Sequence, residues 1–364
     1  MTLIATVGAN KISHKHKYLI DEKVYESELS FLAIAQAYKI ENIILIGTEK
    51  SEDSIKTILD KNPNIKMVTI ESSSVEEVFQ ESLKYISKDT ILDLTQGYRH
   101  YPMLTLLASV FLQSDSSKHI KDIFYAQIID ENCRFYETTC EYHFLSLIKY
   151  LDIANMARII NTFTKTLLTL DYEINNKEFN QIKKGLMEIT QELFSNNYFK
   201  SKEKAFEVNQ IIDKIIKKST LETMQEHLKI LQKELETIQN LISNKESKTL
   251  LNVSKYLKDK GILLHSITAL YEAMVAFLDE KVNNNRCDDT NIYKRRNCLK
   301  INMGNCNYYQ YKINIPKCRD FSNLLKKVDE LRNISAHAHT TGSYEEDLKK
   351  EIDKAIKFLL PIMR

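Results

Sequence analysis

The sequence of 364 residues has seven glycines, four prolines and no tryptophan. Glycine and proline together run several-fold below ordinary usage, which excludes collagen-like repeats, Gly- or Pro-rich linkers and a turn-rich all-β fold. The six cysteines contain no C-x-x-C pair, so the common zinc and redox motifs are missing. With no signal-like N-terminus either, that pattern predicts a reducing, cytoplasmic setting. No apolar run approaches the ~20 residues that span a bilayer, which argues against membrane insertion. A large excess of one charge is also absent, the formal net charge being +2.

That near-neutrality hides an asymmetry. Residues 1–140 carry 15 Lys/Arg against 20 Asp/Glu, whereas residues 281–320 carry nine basic and three acidic residues. One basic segment on an otherwise balanced chain points to a localised contact with a polyanion.

In the first third, short apolar runs (Leu3–Val7, Ile43–Ile46, Met67–Ile70, Ile91–Leu94, Ile123–Ile129) alternate with amphipathic stretches near 24–40, 51–61, 74–87 and 100–114. This alternation predicts a parallel sheet covered by helices on both faces, closed by an antiparallel edge strand near 133–138. Ser74 with Glu77 reads as a capping box. From about residue 141 the pattern turns helical to about 283, with breaks near 171–176, 195–200, 219 and 244–247. Residues 284–318 are irregular and Asn-rich, and helix resumes near 320. The expected fold is an α/β Rossmann-like domain over 1–140, then an all-α domain over 141–364 carrying a basic insertion at about 284–318.

Three glycines fall where the carboxyl ends of strands meet the following turns: Gly8-Ala9-Asn10, Gly47-Thr48-Glu49-Lys50-Ser51, and Asp93-Leu94-Thr95-Gln96-Gly97-Tyr98-Arg99. Ligands of open parallel sheets bind at that edge, glycine lets backbone approach a ligand, and helix N-termini favour phosphate. Strand-to-helix turns also need glycine for geometry alone, so each site by itself has a plain explanation; the set reads as a nucleotide pocket. G-x-G-x-x-G and the Walker pattern are absent, which disfavours ordinary NAD or ATP use.

The Asp93–Arg99 segment resembles the D-x-T-H-G signature of CRISPR-associated CARF proteins, with Gln96 in place of the usual histidine, and the Gly47–Ser51 turn is similar to that family as well. The resemblance implies a sensor of cyclic oligoadenylates, tetra- or hexa-adenylate, made during type III CRISPR defence. It also implies a homodimer with two facing pockets. Gly8, Ala9, Asn10, Gly47, Thr48, Thr95, Gln96, Gly97, Tyr98 and Arg99 are the expected activator-binding residues.

Near the C-terminus stands Leu331-Arg332-Asn333-Ile334-Ser335-Ala336-His337-Ala338-His339. Leu324, Leu325, Val328 and Leu331 place the preceding segment on a buried helix face, and Thr340-Thr341-Gly342 is expected to end that helix. An imidazole can shuttle protons near neutral pH and a guanidinium can stabilise a phosphorane, which suffices to drive a ribose 2′-hydroxyl onto its own phosphate without a metal. For an isolated R-x4-H match, a surface arginine and a structural histidine are the commoner explanation. Arg332, Asn333 and His337 on a late helix resemble the HEPN ribonuclease motif, and the order CARF then HEPN is that of type III CRISPR ancillary ribonucleases. The resemblance implies that Arg332 and His337 of two protomers meet in one composite site, with Asn333 orienting them and His339 a weaker candidate.

Cys287, Cys298, Cys306 and Cys318 are spaced too widely for a typical zinc site, and thiols are expected ahead of zinc. Lys294, Arg295 and Arg296, near Tyr293, Tyr308, Tyr309 and Tyr311, suit single-stranded RNA or a solvated loop equally. His14, Lys15, His16 and Lys17 read as a solvated loop. The expected function is a metal-independent endoribonuclease with no required cofactor, activated by cyclic oligoadenylate. A ring nuclease that degrades the activator, or a non-catalytic nucleotide-sensing adaptor, is the alternative.

Overall fold

Apolar runs that admit no polar position become strands buried on both faces. In the computed structural model of the protein, residues 1–9, 14–71, 74–115, 117–134, 138–218, 222–281, 294, 298, 318–337 and 342–363 are described. The chain falls into two compact units, Met1–Ile159 with Leu170–Asn180, and Ile160–Thr169 with Gln181–Arg364.

In chain order the first unit runs β1 (Thr2–Thr6), β2 (His16–Ile20), β3 (Lys23–Ser27), α1 (Ser30–Tyr38), β4 (Asn42–Gly47), α2 (Glu49–Lys61), β5 (Ile65–Thr69), α3 (Val75–Tyr85), β6 (Thr90–Asp93), α4 (His100–Phe111), β7 (Ile120–Ile128) and β8 (Glu141–Ser146). The eight strands form one sheet in the order β3-β2-β8-β7-β6-β1-β4-β5. β7, β6, β1, β4 and β5 are mutually parallel. Alternate residues of β1 explain the continuous run: Leu3 and Ala5 enter a core with Phe31, Ile34 and Ile55, while Ile4 enters the opposite one with Val78, Leu92 and Tyr101. Helices therefore cover both faces, as the alternation predicts.

Two parts of the expectation change. The stretch expected to be helical from residue 24 opens with the hairpin β2–β3 and becomes helix only at Ser30. Its two-residue turn places Asp21 and Glu22 at φ 46° and 64°, left-handed geometry without the usual Asn or Gly. The antiparallel partner of β7 is β8, not residues 133–138, and it is not an edge because β2 pairs with its other side. β8 thus carries the sheet past residue 140.

Among the described residues the further helices are α5 (Ile148–Thr166), α6 (Lys177–Phe194), α7 (Tyr198–Lys218), α8 (Glu222–Asn240), α9 (Glu246–Asp259), α10 (Leu263–Lys281), α11 (Cys318–His337) and α12 (Gly342–Leu359). Within the second unit α10 is largely buried, with Ile267, Leu270 and Met274 fully covered and Phe277 nearly so. Phe321, Leu325 and Val328 of α11 are buried too, and the Phe277 and Phe321 rings lie 5.8 Å apart. Gly342 opens α12 instead of closing the preceding helix.

Candidate functional site

The chain runs from β1 to β4 and β5 on one side of the sheet, then returns through β6 to β7 on the other. The direction reverses between β1 and β6, and in such sheets the crevice beyond the carboxyl ends at the reversal is where ligands bind. The turns after β1 and β6 flank it. Thr6 Oγ1 donates to the Gln96 carbonyl, joining the two turns directly.

The Asp93–Arg99 turn is built by its own first residues. Asp93 is buried and accepts hydrogen bonds from Ser30 Oγ (2.6 Å) and from the Thr95 amide (3.0 Å). Burial pushes its carboxyl above the ordinary range, against the lowering effect of those bonds. Thr95 Oγ1 accepts from the Ala126 amide at 2.9 Å, tying the turn to β7. Gly97 has φ 103°, and a Cβ there would sit 2.7 Å from Thr6 Oγ1. At Gly47 a Cβ would lie 2.7 Å from Val7 Cγ2. Both glycines are therefore demanded by packing between adjacent turns, which the plain explanation anticipated. Asp93, Thr95 and the two glycines hold the turns; Gln96, half-buried, and Tyr98 and Arg99, exposed, are the side chains presented. Gly8 is half-buried and its carbonyl accepts from Ser54 Oγ at 3.4 Å, Ala9 is exposed, and Asn10 lies outside the described residues.

The helix N-termini differ. At α2, Thr48 Oγ1 accepts from the Ser51 amide and Ser51 Oγ from the Thr48 amide, each at 3.3 Å, with Glu49 and Glu52 in the first turn. That end is capped and already holds negative charge. α4 has no side-chain cap and no first-turn acid, and Arg99 occupies its N-cap. A cation at the positive end of a helix dipole is unfavourable by itself and is relieved by an anion between them.

Beside these turns, at the start of α2, the edge strand β5 and α3, lies an open cleft of about 1090 Å³. Thr48, Lys50 and Tyr98 line it together with Lys66, Lys84 and Tyr85, which no sequence motif singles out. The Lys66 and Lys84 ammonium groups stand 4.7 and 5.3 Å from the Tyr85 ring centroid. Glu49, Glu71, Glu77 and Glu81 share the walls, so both signs of charge are present. Ser74 caps α3 by accepting from the Glu77 amide, but the Glu77 carboxylate accepts from Glu71 N, leaving the expected box half-made.

His16 and Lys17 belong to β2 and not to a solvated loop. His16 is buried, and its Nδ1 accepts from the Cys140 amide at 3.1 Å. Cys140 is disulfide-bonded to Cys133, with Cα atoms 5.8 Å apart. Cys298 is also disulfide-bonded, against the expectation of a thiol or a zinc ligand. The reduced cysteines expected for a cytoplasmic chain are thus not what the structure shows at these positions. Cys287 and Cys306 lie outside the described residues, as do Arg295, Arg296 and His339; Lys294 is exposed.

In the second unit, Arg332, Asn333 and His337 share one helix, α11, of which His337 is the last residue and its side chain lies outside what is described. Five residues of regular helix turn the two positions about 140° apart, as the spacing implied. The Arg332 guanidinium stacks on the Tyr271 ring of α10, 4.0 Å from its centroid. Its Nη2 pairs with Asp329 Oδ1 at 2.9 Å and donates to Asn333 Oδ1 at 3.4 Å. Leu325 and Val328 are buried as expected, while Leu324 and Leu331 are half-buried. Among the described residues no group of three or more His, Cys, Asp or Glu is placed to hold a metal ion, and no helix is long and apolar enough to cross a membrane.

No protein-family model and no curated protein matches the chain. It is similar to the solved structure of Enterococcus italicus Csm6 bound to cyclic hexa-2′-fluoro-hexa-dAMP, with 12% sequence identity and a TM-score of 0.45, over 100% of this chain and 95% of that one.

Proposed function

We propose that the protein is an endoribonuclease of the CARF–HEPN kind, switched on by a cyclic oligoadenylate that binds the first unit. The observation that carries the sensor half is the joined pair of turns at the reversal point between β1 and β6, where Gln96, Tyr98 and Arg99 are presented beside the uncapped N-terminus of α4. That arrangement suits a phosphate next to an adenine: Arg99 and the α4 amides for charge, Tyr98 for stacking, Gln96 for the base edge. Lys50, Lys66, Lys84 and Tyr85 extend the same chemistry toward the sheet edge. The activator is a tetra- or hexa-adenylate ring read by two protomers of a homodimer.

In the second unit, Arg332 and His337 act on single-stranded RNA. The substrate 2′-hydroxyl is the nucleophile, and His337 moves its proton to the departing 5′-oxygen. Arg332 stabilises the charge that develops on the phosphorus oxygens, and Asn333 orients the pair. Bonds balance within the RNA: the new 2′-O–P bond replaces the 5′-O–P bond, leaving a 2′,3′-cyclic phosphate and a 5′-hydroxyl. Activation requires that the ring bind the active arrangement more tightly than the resting one.

The test is cleavage of a fluorescent RNA with EDTA present, with and without cyclic tetra- or hexa-adenylate. One ring should raise the rate at least tenfold, and His337→Ala should abolish it. Cleavage indifferent to both rings sinks the sensor assignment, and cleavage by His337→Ala at the wild-type rate sinks the nuclease assignment.

A further inference from the structure

We infer that Tyr271 and Asp329 are positioning residues for Arg332, an inference that rests on the proposed role of that arginine. A guanidinium on a flexible side chain stabilises a transition state only if it is already aimed, because reorganisation during the reaction cancels the benefit. Arg332 lies near the end of its helix, and beyond the long contact to its neighbour Asn333 two partners fix its head group. The Tyr271 ring, only 7% exposed and carried by the buried helix α10, supports one face of the guanidinium at 4.0 Å. Asp329, one turn earlier on α11, holds Nη2 at 2.9 Å. The pair takes one face and one nitrogen of a group with five N–H donors, so a phosphate can still be met by the others. The platform is itself held, since α10 and α11 are locked together by the Phe277–Phe321 contact. Tyr271 thus transfers the rigidity of the core to a side chain that is 26% exposed.

The inference is tested by activated RNA cleavage, separating kcat from KM, with thermal melting of every variant. Tyr271→Leu removes the ring and Asp329→Asn removes the charge; each should lower kcat about 100-fold, the loss expected for a misplaced catalytic group, with KM changed little. Tyr271→Phe, which keeps the ring, should recover most of that loss. In an Arg332→Ala background, Tyr271→Leu should cost nothing more. Wild-type kcat in folded Tyr271→Leu and Asp329→Asn overturns the inference, and so does a loss that adds to that of Arg332→Ala, which would mark a general packing role. If Arg332→Ala itself cuts at the wild-type rate, the proposed role of Arg332 fails first and this inference falls with it.

Discussion

His16 shows what burial does to a side chain that its sequence neighbours advertise as solvated. Between His14, Lys15 and Lys17 it reads as part of a basic loop, yet it packs edge-on against Tyr142, with ring centroids 5.8 Å apart, and accepts a backbone hydrogen bond on Nδ1. Burial first, and the nearby His14 second, hold its pKa below the ordinary 6.5. The unfolded chain therefore takes up a proton at a higher pH than the folded protein does. The stability that neutral His16 supports is whole above about pH 6.5 and falls as the pH drops below it. We expect the unfolding free energy of the wild type, read from urea denaturation, to fall more steeply between pH 7 and 5 than that of His16→Gln, by at most about 1.4 kcal/mol per pH unit. Parallel decline of the two proteins would show that His16 is not the titrating group. Asp93 has the opposite sense, since its raised pKa stabilises the fold toward low pH, so the comparison must be made with the variant and not from the wild type alone.

At the scale of elements, the connection between β7 and β8 carries a covalent link. The Cys133–Cys140 bond closes it, with a sequence separation of 7. The Cys140 amide bonded to His16 then anchors the closed loop to β2. Linking residues this close removes loop entropy from the unfolded chain worth about 2–3 kcal/mol. The double variant Cys133→Ser, Cys140→Ser should lose that amount in urea denaturation of the oxidised protein and match the wild type once both are reduced. Equal stability under oxidising conditions would show that the bond contributes nothing. The β2–β3 hairpin behaves differently: its turn is held by tertiary contacts, Tyr38 of α1 donating to the Asp21 carboxylate at 2.8 Å, which lets Asp and Glu occupy left-handed positions.

For the molecule as a whole, the proposed function couples a ligand on one unit to chemistry on the other, and the two must be separable by mutation. Thr95 and Gly97 are poor probes because they hold the turn to Ala126 and Thr6. Gln96→Ala is the sharper one, since the structural bond is made by its backbone carbonyl, which the substitution leaves in place. Losing one hydrogen bond to the activator, about 1.4 kcal/mol, should raise the half-maximal activator concentration about tenfold with the maximal cleavage rate retained. Loss of the maximal rate at saturating activator would mean that Gln96 acts on something other than ligand affinity.

Five strands and most helix positions were legible in the sequence because each is written over a few consecutive residues: runs apolar at every position are buried on two faces, and amphipathic stretches on one. The three glycine turns and the Arg332–His337 helix were equally local. The sequence determined which side chains would stand at the carboxyl edge of the sheet and on the last turns of α11. Only the tertiary structure decided why Gly47 and Gly97 are glycine, since Val7 and Thr6 that crowd them arrive from another strand. It alone placed Lys66, Lys84 and Tyr85 along one cleft and brought Tyr271 beneath Arg332. Such contacts join residues far apart in the chain, and their geometry is set by how whole elements pack, which no short pattern encodes.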